Sequence, residues 1–389
     1  MKHNRQQSID FLRGLVMVIM AIDHIRDLML TSEITQDPTD LSSTTPILFF
    51  TRWITHFCAP TFVFLSGISA YLSSRKHHNW IATKRFLITR GLWLIVLEFT
   101  IIGFGIWFDL KFRSFLFQVI GSIGMSMILL AFVFKLSPKV LGILSLVLIF
   151  GHNALGLVPT FENPVLKFLW ALLISPNLFP IGNDQMVMIM YPVLPWFGIM
   201  LAGFVIGRLY ELEATARKKN LTTLFVFSFI SFVVIRAINI YGDPQPWAVQ
   251  KNLFFTILSF VNTTKYAPSL LFTLMTLSFA LGILRLTDGI SNAVSRFFSV
   301  YGKVPLFYYL IHWYLIHSLT LVMVFMQGFT WESLEFGVFK FGRPATGSGL
   351  SLGGVYLVWI GVVLSLYPLC LWYGKYKALH PEKQWLRYL

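Results

Sequence analysis

The sequence predicts an all-α, polytopic integral membrane protein: a helical bundle of about ten transmembrane helices, with both termini cytoplasmic and a single domain over residues 1–389. Only 12% of the residues are charged, whereas a typical soluble domain has about 25%. The chain is 56% hydrophobic, and its apolar residues form runs of about twenty, the length that crosses a bilayer as a helix. These runs are continuous rather than alternating, which favours helices over the strands of a membrane barrel.

Ten of these apolar runs are expected to cross the membrane as helices. A further apolar stretch, 163–180, contains Pro176, and proline interrupts a long helix. We therefore expect a half-helix or an interfacial segment there. The ten predicted spans are 10–30, 47–72, 86–107, 115–134, 139–158, 187–207, 221–241, 266–285, 304–327 and 353–374.

The distribution of lysine and arginine predicts the orientation. With the N-terminus in the cytoplasm, the cytoplasmic segments hold 19 of the 31 basic residues and the outer loops hold seven, as the positive-inside rule requires. The same rule accounts for the net charge of +14 without a nucleic-acid partner. The first run contains Arg13 and Asp23 and precedes no small-residue cleavage site, so we expect a retained span rather than a signal peptide. Cys58 and Cys370 lie in apolar runs and indicate neither a disulfide framework nor a zinc site.

The first predicted span carries six ionisable residues, which are costly in lipid and usually face a bundle interior or a water-filled cavity. His24 lies about 22 Å along the helix from its cytoplasmic end, past the midplane. Asp27 follows His24 by three residues and is predicted to reach and orient its ring. Arg26 follows Asp23 by three residues and is predicted to pair with it.

Other polar residues lie at similar depths in later spans, most of them in the outer part and His312 near the middle. We expect them to share a polar cavity with His24. For any single histidine, the alternative is a hydrogen-bonded residue between two helices. These residues are His56, His152, Lys265, Tyr266, His312 and His317.

His24 is the predicted general base, because histidine titrates near neutral pH and a carboxylate at Asp27 would orient its ring. A metal site formed by His24, His56 and His312 is an alternative. No HExxH or comparable ligand spacing supports it, and no metal is expected. A second alternative is a proton relay, which chains of Asp and His form in transporters.

Basic residues in the cytoplasmic parts of the first and third spans form a second candidate site. Arg13 and Arg90 lie deeper than Lys84 and Arg85, which we interpret as snorkelling anchors at the membrane surface. Buried guanidinium groups at Arg13 and Arg90 are suited to the phosphates of a cytoplasmic donor. Anchoring is the alternative for these two residues as well.

Six blocks of the sequence point to a known family. They read SIDFLRGLVMVIMAIDHIRD, APTFVFLSGISAYL, YPVLPWFGIMLAGFVIGRLY, TTKYAPSLLFTLMTL, GKVPLFYYLIHWYLIH and YPLCLWYGKYKALHPEKQWLRYL. Together they resemble the bacterial membrane family related to heparan-α-glucosaminide N-acetyltransferase, nearly from end to end. The first block is also similar to the acyltransferase-three membrane proteins, which carry an arginine, ten residues and then a histidine in their first span. Arg13 and His24 have that spacing.

The resemblance implies a transmembrane acyltransferase in the inner membrane of a bacterium. Acetyl-CoA would donate the acetyl group from the cytoplasm, and a hydroxyl or amine on the periplasmic side would accept it. The acceptor would be a glycan, a sugar or another small molecule. In the acyltransferase-three proteins the histidine is taken as essential for transfer and the arginine as supporting the acyl-CoA side. With the depths above, this predicts catalytic roles for His24, Asp27 and His56, acceptor contacts from Asp23, Lys265, Tyr266, His312 and His317, and acetyl-CoA contacts from Arg13 and Arg90.

Two functions of other classes remain as alternatives. One is a proton-coupled transporter or flippase of a small polar or glycan substrate, although the sequence shows no inverted repeat or pair of broken helices. The other is a structural or regulatory membrane protein, which gives no reason for so many costly intramembrane charges. The sequence does not identify the acceptor or the oligomeric state, and a homo-oligomer stays open.

Overall fold

The computed structural model describes residues 7–32, 34–35, 37–76, 79–159 and 161–388. The described chain is mostly helical, and short 3₁₀ segments extend several of its helices. A π-helical turn at Glu98–Ile102 joins the fourth helix to the fifth. The helices are α1 (Gln7–Met29), α2 (Pro46–Thr55), α3 (Cys58–Lys76), α4 (Trp80–Leu97), α5 (Gly103–Trp107), α6 (Val119–Val133), α7 (Pro138–Gly151), α8 (Pro164–Leu173), α9 (Val193–Ile206), α10 (Ala214–Ile238), α11 (Leu253–Val261), α12 (Leu270–Thr287), α13 (Ala293–Gly302), α14 (Pro305–Met326) and α15 (Leu352–Leu379).

Eight helical segments of the described chain are long and apolar enough to cross a membrane, so the prediction of a multi-pass membrane protein is confirmed. The predicted count was about ten. Two of the predicted spans are not among the eight. The span 10–30 is helix α1, which carries several ionisable residues, and the span 115–134 contains α6, which has only 15 residues. The eight segments are Pro46–Arg75, Trp80–Trp107, Pro138–Leu157, Val193–Glu211, Ala214–Ile238, Leu270–Thr287, Pro305–Met326 and Leu352–Leu379.

A small sheet interrupts the helical bundle and corrects two predicted boundaries. Its strands are β1 (Ser114–Phe117), β2 (Asn177–Ile181) and β3 (Gln185–Ile189), with β3 in the centre, parallel to β1 and antiparallel to β2. The predicted spans 115–134 and 187–207 therefore begin with strand residues. Short apolar runs look alike at the start of a helix and in a strand, so periodicity alone did not separate them.

The stretch 163–180, expected to be a half-helix or an interfacial segment, forms the ten-residue helix α8 and then enters β2. Asn163 caps α8, since its side chain accepts hydrogen bonds from the backbone N–H groups of Val165 and Leu166. Pro164 occupies the first turn, where its missing N–H costs nothing. The helix ends before Pro176, as the residue preceding a proline disfavours helical geometry.

Helix α1 packs inside the bundle, in contact with α2, α3 and α12 to α15. Its closest neighbour is α13: a Cβ atom added at Gly14 would lie 1.8 Å from the carbonyl oxygen of Phe298, and one at Gly302 would lie 1.8 Å from that of Asp10. Small residues permit such close approach of helices in membranes. Because protein covers α1, its charged residues Asp23 and Arg26 are buried against other side chains rather than lipid.

We call the face at which α1 begins the inner face, and the opposite face the outer face. Arg13, in the second turn of α1, donates to Ser69 Oγ at 2.7 Å and to the Gly302 carbonyl at 3.1 Å, so α3 ends and α14 begins at the inner face. At the other end of α1, Arg343 donates to the carbonyl oxygen of Leu30 at 2.9 Å. The sequence predicts that the inner face is cytoplasmic.

Candidate functional site

Two cavities approach the centre of the bundle from opposite faces. The inner cavity has a volume of ≈320 Å³ and is lined by residues of α1, α3, α4, α6, α14 and α15. The outer cavity has a volume of ≈710 Å³ and is lined mainly by the loop 37–41 and the segments that flank α11, together with residues of α1 and α2. Arg13 and Arg90 line the inner cavity, and Asp27, His56, Lys265 and Tyr266 line the outer one.

The inner cavity combines basic residues with apolar walls. Arg13 and Arg90, predicted as the donor-side cations, both line it although they belong to different helices. Lys303 and Lys377 join them, and none of the described lining residues is acidic. Sequence reasoning missed Lys377, because a lysine near the end of the last span looks like any other topology anchor. A cavity that combines four cations with apolar walls is suited to a ligand with phosphate groups and an apolar arm.

His24 meets His312 of α14 between the two cavities. The Nδ1 atom of His24 lies 2.7 Å from the Nε2 atom of His312. The His24 ring stacks on Trp313, with the ring centroids 3.9 Å apart, and Tyr309 contacts it edge-on. Tyr309 also lines the inner cavity, so its ring contacts both that cavity and His24.

The hydrogen bonds of this pair define where each neutral ring carries its proton. His312 Nδ1 lies 3.1 Å from the carbonyl oxygen of Tyr308, which can only accept. His312 therefore carries its proton on Nδ1, and its Nε2 atom accepts from the Nδ1–H of His24. The Nε2 atom of neutral His24 is then left with a lone pair. A histidine in this tautomer can take a proton from a bound group at Nε2.

Asp23 lies at the centre of an ion-pair network next to His24. Arg26 lies 2.8 Å from Asp23, which confirms the predicted pair, and Arg52 of α2 forms a second ion pair with the same carboxylate. Sequence reasoning missed Arg52, since its partner is 29 positions away in the chain. The buried Asp23 carboxylate thus has a cationic partner at each of its two oxygen atoms, and a buried charge is stable only when it is paired in this way.

Asp27 takes a position other than the predicted one. Its carboxylate lies 2.5 Å from Arg26, and its side chain is 45% exposed where it lines the outer cavity. The hydrogen-bond partner of His24 Nδ1 is therefore His312 rather than Asp27. The i,i+3 spacing permitted the contact between Asp27 and His24, but a cation one residue away holds the carboxylate more strongly.

The outer cavity brings together three other residues predicted from the sequence. His56 is buried, and its Nδ1 atom has no hydrogen-bond partner within the described residues. Lys265 is also buried, and its Nζ atom lies 5.1 Å from the centre of the Tyr266 ring. Burial alone would raise the pKa of the Tyr266 phenol, but the charges of Lys265 and Arg52 outweigh it and lower that pKa below its ordinary value.

Two residues outside the predicted set hold the segment that carries Lys265 and Tyr266. Asp243 accepts hydrogen bonds from Thr264 N–H at 2.9 Å and from Ser269 Oγ at 2.6 Å. The buried Arg236 donates to the carbonyl oxygens of Ser259 and Asn262, among others. The sequence did not predict this role for Asp243, which lies in the segment YGDPQPW, because its hydrogen-bond partners are more than twenty residues away in the chain.

His317 and His152 lie apart from both cavities. His317 Nε2 lies 3.1 Å from the carbonyl oxygen of Phe341, and its ring stacks on Phe108 at a centroid distance of 4.0 Å. His152 Nδ1 lies 3.0 Å from the carbonyl oxygen of Leu148 in its own helix. Both positions fit the alternative of a packed, hydrogen-bonded histidine. The geometry therefore gives no support to the predicted acceptor contact of His317.

No group of three or more His, Cys, Asp or Glu side chains that could hold a metal ion occurs in the part of the chain that the structure describes. Within the predicted metal alternative, the closest approach is the hydrogen bond between His24 and His312. That bond places a proton between the two nitrogen atoms, where a metal ion would need both lone pairs.

Comparison with known proteins matches this chain to a protein-family model. The model described as "Heparan-alpha-glucosaminide N-acetyltransferase, catalytic" matches residues 5–246. The matched region includes Arg13, His24, Arg52, His56 and Arg90. No curated protein matches the sequence.

Proposed function

Because the chain belongs to the heparan-α-glucosaminide N-acetyltransferase catalytic family, we propose that it takes an acetyl group from acetyl-CoA at the inner cavity and transfers it to a hydroxyl or amine held at the outer cavity. The observation that carries this proposal is the His24–His312 pair, which lies between the two cavities. The acceptor is a sugar or glycan on the periplasmic side of a bacterial inner membrane.

Acetyl-CoA enters the inner cavity with its phosphates among the cations. Arg13, Arg90, Lys303 and Lys377 supply the positive charge, and guanidinium groups bind phosphate through paired hydrogen bonds. The apolar walls contributed by α1 and α6 receive the pantetheine arm. Its thioester then points toward Tyr309 and the His24 ring behind it.

His24 acts as the general base. Its Nε2 lone pair takes the proton of the acceptor O–H or N–H group while the acceptor atom attacks the thioester carbonyl carbon. The C–S bond breaks, its electron pair leaves with the sulfur, and the protonated His24 returns the proton to give CoA-SH. His312 Nε2 accepts from His24 Nδ1–H throughout and stabilises the imidazolium form.

The polar residues of the outer cavity position the acceptor. His56, Lys265 and Tyr266 present hydrogen-bonding groups to this cavity, as do Arg52 and Asp27. Lys265 and Tyr266 are the cationic and hydroxyl donors available to the oxyanion that forms at the carbonyl carbon. Such donors stabilise the transition state more than the ground state.

Binding of acetyl-CoA tests the proposal directly. We expect saturating acetyl-CoA to raise the melting temperature of the purified protein in detergent, because a ligand at 100 times its Kd adds about 2.7 kcal/mol to the free energy of unfolding. The Arg90→Gln variant should lose most of this shift. Lys84→Gln is the matched control on the same helix, since Lys84 lies 4.6 Å from the Phe132 ring and does not line the inner cavity.

A second assay follows the release of the CoA thiol with glucosamine as the trial acceptor. Thiol release that depends on glucosamine supports the proposal. An unchanged melting temperature at saturating acetyl-CoA contradicts it. Movement of protons or sugar across proteoliposomes without thiol release would favour a transporter instead.

A further inference from the structure

A third cavity, which the proposed reaction does not use, opens at the inner face. Its volume is ≈500 Å³, and it lies where the ends of α3 and α9 approach the beginnings of α4 and α7. We call it the lateral cavity. Arg75, Lys135 and Arg208 line it, and no acidic residue does so in the described part of the chain.

Apolar side chains form part of the wall of the lateral cavity and continue onto the surface of the protein. Phe134 and Phe204 form part of its interior. Trp80 and Leu136 line it as well, although they are 51% and 46% exposed. Phe132, in the last turn of α6, is 65% exposed. The cavity therefore opens sideways toward lipid, at the level where α4 and α7 enter the bilayer.

The cations of the lateral cavity carry more positive charge than the protein neutralises there. Arg75 pairs with Glu211 at 2.6 Å. Lys135 lies 3.0 Å from the centre of the Trp80 ring, a cation–π contact that leaves its charge in place. Among the ion pairs of the described residues, neither Lys135 nor Arg208 has a carboxylate partner.

We propose that the lateral cavity binds the phosphate of an anionic phospholipid from the leaflet at the inner face. Lys135 and Arg208 hold the phosphate, and Arg75 completes the basic wall. The acyl chains leave through the lateral opening past Trp80 and Leu136. Cations explain the attraction to phosphate, while the exposed apolar walls select a phosphate that carries acyl chains.

Lipid binding by the purified protein tests this site. Native mass spectrometry in detergent would measure the Kd for phosphatidylglycerol and for phosphatidylcholine with the same acyl chains. We expect phosphatidylglycerol to bind more tightly, and the double variant Lys135→Gln/Arg208→Gln to weaken its binding by about 10-fold or more, since each basic residue near the membrane surface is worth about fivefold. The control is Lys218→Gln/Lys219→Gln, which removes the same charge at the start of α10, outside the cavity.

Three results would overturn the proposal. Equal binding of the two lipids would show that charge is not recognised. An unchanged affinity in Lys135→Gln/Arg208→Gln, or an equal loss in the control, would place the lipid elsewhere. Displacement of phosphatidylglycerol by inorganic phosphate or CoA, with loss of that displacement in the double variant, would assign the cavity to a soluble phosphate ester.

Discussion

His24 differs from the other ionisable residues of α1 in the way it is held. Asp23, Arg26 and Asp27 neutralise one another with the help of Arg52. His24 is instead enclosed by the rings of α14 and hydrogen bonded to His312. His24 is only partly buried, and its hydrogen-bond partner is a histidine ring rather than a carboxylate, so it is not held in a structural ion pair. It is well placed as a base that is neutral before the reaction.

Replacement of His24 should separate chemistry from binding. We expect His24→Ala to lower acetyl transfer about 10²- to 10⁴-fold, the contribution of a positioned general base. The acetyl-CoA-induced rise in melting temperature should persist, since the cations of the inner cavity are unchanged. Release of the CoA thiol and thermal unfolding measure the two effects.

His380→Ala is the control for that experiment. His380 lies after α15, with its Nδ1 atom 2.9 Å from the carbonyl oxygen of Tyr376, and it lines neither the inner nor the outer cavity. We expect it to retain full activity. Activity of His24→Ala within a few-fold of the unmodified protein would remove His24 from the mechanism.

At the scale of the elements, the contact between α1 and α13 fixes the position of the whole site. Gly14 and Gly302 let the two backbones touch, as the 1.8 Å distances from an added Cβ atom show. Arg13 donates to the carbonyl oxygen of Gly302 at this same contact. The helix that carries both a donor-side cation and the proposed base is therefore anchored where small residues permit the closest packing.

The Gly14→Ala substitution should force α1 and α13 apart. Overpacking a close contact costs about 1–3 kcal/mol, so we expect a lower melting temperature in detergent. Gly361→Ala is the matched control within α15, because a Cβ atom added there meets nothing within 4 Å. Alanine at position 361 should be neutral or slightly stabilising, since glycine is the weaker helix former. Equal melting temperatures for the two variants would contradict the tight α1–α13 contact.

At the scale of the whole molecule, two cavities meet a layer of α1 and α14 side chains from opposite faces. The inner cavity is lined by cations, and the outer cavity holds mixed charges and amides. In the proposed reaction, this arrangement would hold acetyl-CoA at one face and the acceptor at the other, and neither would have to cross the bilayer. The separation has a function only if the two faces border different compartments.

Chemical labelling tests that orientation. We expect a membrane-impermeant maleimide to label Val249→Cys, but not Thr215→Cys, in right-side-out vesicles of bacterial cells. Val249 is 80% exposed at the outer face, and Thr215 is exposed at the start of α10. The native Cys58 and Cys370 are buried, so they should react little. Selective labelling of Thr215→Cys would reverse the orientation.

The sequence alone determined the class of the protein, because hydropathy reports directly on the free energy of each segment in lipid. The eight long apolar helices follow from it. So does the Asp23–Arg26 pair, whose partners are one turn apart on the same helix. Local spacing also placed Arg13 and His24 at two depths of α1. Arg13 lines the inner cavity, whereas His24 lines neither cavity and contacts His312.

Only the tertiary structure decided which residues act together. The spacing in α1 allowed Asp27 to reach His24, yet His312 from α14 holds His24, and Arg52 from α2 shares Asp23. Helix packing also brings Lys377 to the inner cavity beside Arg13. His317, predicted at a depth similar to that of His24, instead packs against other residues and contacts the carbonyl oxygen of Phe341. Depth along a helix is encoded locally, but the direction in which a side chain faces depends on how the helices pack. That packing depends on contacts such as Gly14 with Phe298, whose partners lie hundreds of residues apart.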